Sequence, residues 1–508
     1  MTRVPTSAWP GRALALLAML AALWAVMVIH ATGQTLLALT LLVISGMAVW
    51  TYTSTRTVAL RYLFPGVAAA LVFVVFPMLY TMGIAFTNHS SRNLLDLDRA
   101  RAQLMEEAVI APDSQRRFTL EALGSRLRVR LAPTGAGADA AVTPPIVLLA
   151  TPQTIALEPA TSAPEPGLPL SAVVQHLPTL RLLQLKDGSG QLLSLTGLHE
   201  FALQQPLYLA RADGALTDRL SGKVYHPDMA QGFFTADDGD RLQPGFRVNV
   251  GLSHFAQVFS QGKFREPFLS VFVWTVVFSA LSVVGAASLG LLLAGLLHWP
   301  ALPGRSAYRL VLFLPYAVPG FISILVFKGL FNQNLGEVNL ILNALFGIRP
   351  AWFSDPLLAK LMLLIVNIWL GFPYMMVLCS GLIQSIPSDL YEASAVVGAG
   401  PWTNFTRITL PLILKPLTPL LISAFAFNFN NFVLVSLLTG GRPDQADSTL
   451  PAGTTDILVS YTWRIAFQDS GQQFGLAAAI STVIFGIVAA ITLIQLRLTS
   501  RAEASKKG

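Results

Sequence analysis

The sequence has 508 residues, of which 53% are hydrophobic and only 12% are charged. A soluble globular protein carries about 25% charged residues. This composition therefore excludes a disordered chain, a coiled coil and a chain with a charged tail that binds nucleic acid. The single cysteine, Cys379, excludes an intramolecular disulfide and a cysteine-rich metal site. Much of the chain is predicted to lie in a lipid bilayer.

The charged residues are concentrated in one part of the chain. Residues 89–268 contain 17 basic and 18 acidic side chains, so about 19% of this range is charged. The other 328 residues contain 17 basic and 9 acidic side chains and are about 8% charged. This distribution predicts a near-neutral soluble domain inserted into a membrane protein. The net charge of +7 comes from the membrane part, and no nucleic-acid partner is needed to explain it.

Eight apolar stretches are long enough to cross a bilayer as helices. The first follows Arg3 and Arg12, but its apolar core is long for a signal peptide. No convincing small-residue cleavage site follows it, so we interpret it as an uncleaved anchor. The predicted spans are residues 12–31, 35–53, 64–87, 269–298, 308–331, 357–385, 411–438 and 473–496.

Basic residues in the short loops predict the orientation. With the N-terminus in the cytoplasm, the cytoplasmic segments hold twelve Lys and Arg residues, and the opposite short loops hold four. Both termini are therefore predicted in the cytoplasm, and residues 89–268 in the periplasm. The predicted fold is an all-α polytopic membrane protein of eight transmembrane helices, with a large β-rich periplasmic domain inserted between helices 3 and 4.

Patterns inside residues 89–268 predict a mixed but strand-rich domain. Residues 96–109 have the periodicity of an amphipathic helix, and residues 133–169 are rich in Ala, Pro, Thr and Gly, which indicates loops. Short strands are predicted at residues 126–131, 146–149, 180–185 and 192–195.

Several kinds of chemistry are missing from the sequence. It has no GxxxxGK[ST] phosphate loop, no HExxH and no GxSxG, and its seven histidines lack metal-ligand spacing. No catalytic residue and no metal ligand are therefore predicted. A proton-coupled transporter normally needs a carboxylate within the membrane, and the predicted spans offer none. Lys328, Lys360 and Lys415 lie near span ends, where a lysine can extend its ammonium group to the interface.

The loop between spans six and seven, residues 386–411, has a distinctive pattern. Ser388 is a good helix N-cap, and Gly398 and Gly400 allow the backbone to reverse. Pro401 suits the first position of a second short helix. Such a helix-glycine-helix element can act as a rigid lever, although the same spacing also fits a structured loop without a partner.

This loop resembles the EAA loop of ABC importer permeases. The family loop docks into a cleft of the ATP-binding subunit and transmits its closure to the membrane helices. The resemblance implies that Glu392 is the acid that meets the ATPase and that Gly398 forms the turn. Val397 stands where the family usually has Asp, which weakens a polar contact there. The matching run is Glu392-Ala393-Ser394-Ala395, then Gly398-Ala399, then Ile408, Leu410 and Pro411.

The membrane part also holds polar residues that need a reason, because an unpaired amide in hydrocarbon costs several kcal/mol. On a continuous helix, Ala424, Phe427, Asn428 and Asn431 would share one face. Amides can bond sugar hydroxyls, and aromatic faces stack on a pyranose. Helix-to-helix bonding explains such amides equally well. Other candidates are Asn430 in span seven, Trp369, Leu370, Gly371, Phe372 and Tyr374 in span six, where Pro373 is expected to disturb the helix, and Tyr316 in span five.

A wider resemblance covers nearly the whole chain. The sequence is similar to MalF-type permease subunits of maltose/maltodextrin ABC importers, which also have eight spans and a large insertion after the third. The segments that carry the similarity include 272–278, 314–319, 327–333, 351–356 and 425–432. The domains implied are two N-terminal helices (1–63), helix 3 (64–88), the periplasmic domain (89–268), helices 4–8 of the permease core (269–497) and a cytoplasmic tail (498–508).

The resemblance implies a function and a set of partners. A sugar site near mid-membrane is expected at positions Tyr316, Gly371, Tyr374, Phe427, Asn428 and Asn431, and ATPase coupling at Glu392, Ala393, Gly398 and Ala399. The expected partners are a second homologous permease subunit, a dimer of ATP-binding subunits docked on 386–411 that binds ATP and Mg, a periplasmic sugar-binding protein on 89–268, and membrane lipid. This chain itself needs no cofactor.

Two departures from the family sequence leave the identity of the transported sugar open. Gly320 and Ala424 stand where the family's sugar site has serine, so another α-glucoside is an alternative substrate. A sugar-coupled secondary transporter and a membrane-anchored receptor are the competing functions; the first is disfavoured by the missing membrane carboxylates.

Overall fold

The structure is a computed structural model that describes residues 9–112, 114–133, 140–161, 163–260, 262–299, 301–445, 451–468 and 472–504. The chain divides into two compact units. One unit is the continuous segment Arg92–Val248, and the other joins the parts of the chain on either side of it. Residues 89–268 as a periplasmic domain stay a prediction; within that range, 92–248 form a unit of their own.

The unit formed by the parts of the chain on either side of Arg92–Val248, which we call the flanking unit, is built of helices. The segment Arg92–Val248 contains two further helices, α5 and α6. Short π-helical segments, Leu71–Val75 and Phe405–Thr409, continue α3 into α4 and α14 into α15. The helices are α1 Trp9–Ala31, α2 Thr35–Thr53, α3 Leu60–Ala70, α4 Phe76–Ile84, α5 Leu97–Glu106, α6 Leu170–Leu180, α7 Ser253–Ser260, α8 Gly262–Leu297, α9 Arg305–Ala317, α10 Gly320–Leu330, α11 Glu337–Phe346, α12 Pro356–Gln384, α13 Ser388–Val396, α14 Pro401–Asn404, α15 Leu410–Phe429, α16 Phe432–Leu438, α17 Leu458–Phe467 and α18 Phe474–Ala504.

Six helices in the described ranges are long and apolar enough to cross a membrane, and a bent pair makes a seventh. The apolar part of α1, Leu17–Ala31, is shorter than these. The chain is therefore a polytopic membrane protein. The six are Thr35–Thr53, Leu60–Ile84, Phe264–Leu297, Pro356–Gln384, Pro401–Phe429 and Phe474–Ile494.

The predicted span over residues 308–331 is built from two helices and not from one. Helices α9 and α10 meet at an angle of 91°. Val318 between them is extended, with φ −88° and ψ 132°. Pro319 disfavours helical geometry in the preceding residue and supplies no N–H for a helical bond, so the helix stops and starts again at Gly320.

The prediction of one helix through residues 411–438 is also wrong. Helix α15 ends at Phe429, and Asn430 and Asn431 leave helical geometry before α16 begins. Pro373 was expected to disturb the helix of span six. This prediction is wrong, because α12 runs through Pro373 without a break. Inside a bundle, neighbouring helices can stabilise a helix across a proline.

Helices α8 and α12 pack closely because glycines remove the side chains between them. A Cβ atom added at Gly290 would stand 2.7 Å from Met375 Cβ and from Met376 N. One added at Gly285 would overlap the side chain of Ile368. Small residues that let backbones approach are the main means of packing helices in membranes.

We expect Gly290→Val to destabilise this pair strongly. The new methyl groups have no space against the Met376 backbone, and overpacking costs about 1–3 kcal/mol or more where nothing can shift. The change should lower the yield and the melting temperature of the folded protein. Gly295→Val is the control, because a Cβ at Gly295 meets nothing within 4 Å. Equal stability of the two variants would contradict this packing.

The unit of residues 92–248 is β-rich, as predicted. A nine-stranded sheet runs in the order β5-β7-β8-β9-β2-β3-β4-β6, with β1 paired to β9, and β10 to β13 form a separate sheet. Its core contains Leu120, Val129 and Phe201 under the larger sheet. The strands are β1 Ala108–Ile110, β2 Arg116–Leu123, β3 Arg126–Leu131, β4 Ala141–Val142, β5 Gln153–Ala156, β6 Glu158–Pro159, β7 Leu183–Lys186, β8 Leu192–Leu195, β9 Glu200–Pro206, β10 Tyr208–Ala210, β11 Leu216–Asp218, β12 Val224–Asp228 and β13 Phe233–Ala236.

Local predictions inside this unit had mixed outcomes. The strands at 126–131 and 192–195 are confirmed. Residues 146–149 form no strand, and only Ile146 makes a bridge, to Leu127. The predicted strand 180–185 begins late, because Leu180 ends helix α6, whose apolar face packs in the core. The predicted helix 96–109 stops at Glu106, since the chain then pairs with β9 as strand β1.

Candidate functional site

A cavity of about 580 Å³ lies among the helices of the flanking unit. Its walls come from α8, the junction of α9 and α10, α12, and the broken end of α15. A volume of this size is within the range of small-molecule sites, about 300–1,000 Å³. All six predicted sugar-site residues line it, namely Tyr316, Gly371, Tyr374, Phe427, Asn428 and Asn431.

Three asparagines form a bonded group at the wall of the cavity, which we call the amide triad: Asn367, Asn428 and Asn431. Asn367 lies at its centre. The Asn367 Nδ2 donates to Asn428 Oδ1 at 2.6 Å, and Asn431 Nδ2 donates to Asn367 Oδ1 at 3.2 Å. An amide has two donor hydrogens and two acceptor lone pairs, so each triad member keeps capacity for a ligand.

The break after α15 is what brings Asn431 into this group. Asn428 is anchored by its Nδ2, which donates to Ala424 O at 2.8 Å within α15. Asn431 lies beyond the helix and caps α16, its Oδ1 accepting from Leu434 N at 3.4 Å. Asn430, between them, instead directs its amide back to Ala426 O. Asn428 and Asn431 are therefore held by two different helices.

Three aromatic rings line the cavity together with the amide triad. Phe427 is 70% exposed, Tyr316 is 56% exposed and Tyr374 is 44% exposed, so their faces are open to an occupant. Gly371 keeps the backbone bare and lets α8 approach, since a Cβ there would stand 3.3 Å from Ala286 Cβ. Exposed ring faces beside amides suit the apolar faces and hydroxyl edges of a sugar.

Two of the further candidates in span six, Trp369 and Phe372, do not line the cavity. Trp369 packs edge-to-face on Phe327 with ring centroids 4.9 Å apart, and Phe372 is buried in the helix packing. Gly320 and Ala424 do line the cavity and present no hydroxyl there.

Three polar residues of the cavity were missed by the sequence reasoning. Asn367, Ser423 and Ser282 all line it. A usable signal existed for Asn367, because an amide four residues before Gly371 lies on the same helical face and is costly in hydrocarbon. Serines give no such signal, since a helix accepts them by bonding them to its own carbonyls.

The predicted helix-glycine-helix element of residues 386–411 is present. Helix α13 turns at Gly398, which has a φ of +74°, and Pro401 opens α14. Ser388 is the first residue of α13 and makes no capping bond, so its predicted role as N-cap is wrong; Pro387 precedes the helix. Glycine is the residue that enters positive φ without steric cost, which explains the reversal.

Side chains tie the two arms of this loop together. The Tyr391 hydroxyl lies 2.9 Å from Thr409 Oγ1, and Ser394 Oγ donates to Asn404 Oδ1 at 2.8 Å. Glu392 and Ala393 are exposed. Val396 and Trp402 are also exposed, by 89% and 75%. The loop is therefore a braced projection with an acid and apolar side chains available to a partner.

Groups that could hold a metal ion were sought as well. Across the described ranges, no three His, Cys, Asp or Glu side chains are placed together for that purpose.

Family models match three parts of the chain. Residues 9–56 match the N-terminal transmembrane helices of MalF, residues 95–251 match the P2 domain of the maltose transport system permease protein MalF, and residues 286–502 match the binding-protein-dependent transport system inner membrane component. The third match contains both the cavity walls from α9 onward and the loop of residues 386–411.

Whole proteins match over nearly all of the chain. The chain is 47% identical to the maltose/maltodextrin transport system permease protein MalF of Vibrio parahaemolyticus, over 94% of this chain and 93% of that protein. It is 46% identical to the MalF protein of Klebsiella aerogenes and 45% identical to that of Escherichia coli, each over 93% of both chains. The chain therefore belongs to the MalF family of binding-protein-dependent transport system inner membrane components.

Proposed function

We propose that this chain is the membrane permease subunit of an ATP-driven importer that moves maltose and maltodextrins into the cytoplasm. The observation that carries the proposal is the cavity in the helical unit, where the amide triad faces open aromatic rings. The likeness to MalF proteins over 93–94% of the chain names the sugar class.

The energy comes from partner subunits, because the sequence contains no phosphate loop of its own. Two ATP-binding subunits, which hold ATP and Mg, dock on residues 386–411. Glu392, Ala393, Gly398 and Ala399 are the contact residues of the loop. The braced arms transmit the movement of the docked subunits to α12 and α15, the helices on either side of the loop. The path for the sugar then opens to one side of the membrane at a time.

The proposal includes an assembly in the bacterial inner membrane. A second homologous permease subunit completes the path, and a periplasmic sugar-binding protein docks on residues 89–268 and delivers the sugar. Both termini lie in the cytoplasm. The six spans, the bent pair α9 and α10, and α1 together make the eight transmembrane helices.

The transport function is tested with the whole complex in proteoliposomes. We expect labelled maltose to accumulate only when ATP and the sugar-binding protein are both present. Accumulation driven by a proton gradient without ATP would instead support a secondary transporter. A panel of labelled α-glucosides in the same vesicles tests whether Gly320 and Ala424 have changed the sugar range.

Coupling is tested by Glu392→Lys. We expect maltose uptake to fall at least about tenfold while the helical unit stays folded, because Glu392 is exposed and supports no buried contact. Glu337→Lys reverses an equally exposed acid outside this loop and should keep most of the uptake. Normal uptake and normal ATP hydrolysis by the Glu392→Lys complex would contradict the docking role of the loop.

A further inference from the structure

One hydroxyl at the wall of the cavity has no hydrogen-bond partner. Ser282 of α8 is only 2% exposed, it lines the cavity, and its Oγ contacts no donor or acceptor among the described residues. A buried polar group without a partner costs free energy. Such a group needs an explanation, and a role in binding a ligand is one.

The helix itself does not force this arrangement. Thr275 and Ser279, two turns and one turn earlier on α8, each donate to the carbonyl four residues before, at 2.7 Å. That bond is the usual way for a helix to satisfy a buried hydroxyl. Ser282 does not make it, so a residue that lines the cavity carries a buried Oγ without a partner among the described residues.

The triad amides and Ser423 already bond within the protein: the amides bond to one another and to the backbone, and Ser423 Oγ donates to Pro419 O. Ser282 differs from these groups, because its Oγ has no hydrogen-bond partner among the described residues. A hydroxyl can donate one hydrogen bond and accept others, which matches another hydroxyl.

We propose that Ser282 Oγ is a direct hydrogen-bonding contact for a hydroxyl group of the transported sugar, on the wall of the cavity formed by α8. The inference rests on the proposed function and extends the sugar site to a helix on which no sugar contact was predicted. One hydroxyl of bound maltose forms a hydrogen bond with Ser282 Oγ. A maltose analogue that lacks this hydroxyl leaves Ser282 Oγ without a partner.

The test compares Ser282→Ala with Ser279→Ala in the complete reconstituted complex. Ser279 is the matched control, because it is also buried on α8 but its hydroxyl is satisfied inside the helix. We expect Ser282→Ala to raise the apparent KM for maltose about threefold to tenfold, the effect of one neutral hydrogen bond, with kcat largely kept. Ser279→Ala should leave KM unchanged.

Monodeoxy analogues of maltose separate a direct contact from a structural role. The wild-type complex should discriminate against the analogue that lacks the bonded hydroxyl, and Ser282→Ala should transport that analogue and maltose with the same KM. If Ser282→Ala still discriminates against every analogue as the wild type does, the contact is refuted. Equal KM values for maltose in Ser282→Ala and the wild type also refute it.

Stability gives a second readout. Removal of an unpaired hydroxyl should leave the melting temperature of the sugar-free complex unchanged or raise it, whereas removal of a structural bond would lower it. If Ser282→Ala fails to assemble, Ser282→Thr and Ser282→Val form a shape-matched pair that differs in the hydroxyl, and only the Val variant should raise KM. A wild-type complex that transports no maltose would overturn the proposed function itself, and this outcome is distinct from equal KM values.

Discussion

Arg464→Ala is expected to destabilise the folded protein by about 3–5 kcal/mol, the cost of leaving a buried charge without its partner. The Arg464 guanidinium is 7% exposed and bonds Asp456 Oδ2 at 2.7 Å and Asp444 Oδ1 at 2.5 Å. The Asp456 carboxylate is fully buried. It also accepts from Ser460 Oγ at 2.7 Å and Gly453 N at 2.8 Å, and these bonds cannot replace a cation.

The measurement is thermal unfolding of the purified complex, followed by size-exclusion chromatography of the fraction that stays folded. Arg442→Ala is the control. Arg442 is 75% exposed and only 4.0 Å from Asp444, so its ion pair contributes about 0–1 kcal/mol. If Arg464→Ala and Arg442→Ala unfold at the same temperature, the buried cluster does not hold the segment between α16 and α17.

Asn367→Leu is expected to lower maltose uptake by about tenfold or more. The substitution removes the partner of Asn428 Oδ1 and of Asn431 Nδ2 together, and each orphaned group costs about 1–3 kcal/mol if it stays in place. The two amides should then turn away, and the cavity loses the arrangement of donors and acceptors that we propose for sugar hydroxyls. Uptake into proteoliposomes at a saturating concentration of the binding protein measures the effect.

Asn430→Ala is the matched control for this prediction. Asn430 lies between the two triad residues in sequence, but its amide bonds Ala426 O and does not join the triad. Its removal should leave uptake near the wild-type level. A wild-type rate in Asn367→Leu, with a melting temperature below that of the control, would show that the triad only joins helices.

The predicted sugar residues came together although one structural assumption behind them was wrong. Asn428 and Asn431 were placed on one face of a continuous helix, whereas the helix ends at Phe429. Asn431 still reaches the cavity because the chain turns and its side chain caps α16. Their type and position could be predicted from cost arguments in hydrocarbon. The path of the backbone could not, because a break depends on bonds supplied by neighbouring helices.

The loop of residues 386–411 was predicted more fully because its shape is local. Gly398 and Pro401 have backbone preferences that act wherever they occur, and both positions behave as expected. The bonds from Tyr391 to Thr409 and from Ser394 to Asn404 were not predicted. They join residues 18 and 10 positions apart, and such pairs form only after the turn has set the two arms side by side.

The division between a sparsely charged membrane part and a near-neutral inserted part can be read from the residues alone, since hydropathy and charge are summed along the chain and need no partner in space. The local turn at Gly398 follows from the residue type as well. The bend of 91° between α9 and α10, the passage of α12 through Pro373 and the bonds of Asn367 to Asn428 and Asn431 depend on the packed structure. The packed structure alone showed Ser282 without a partner among the described residues. Hydrogen bonding between distant residues depends on which helices become neighbours, and packing sets that.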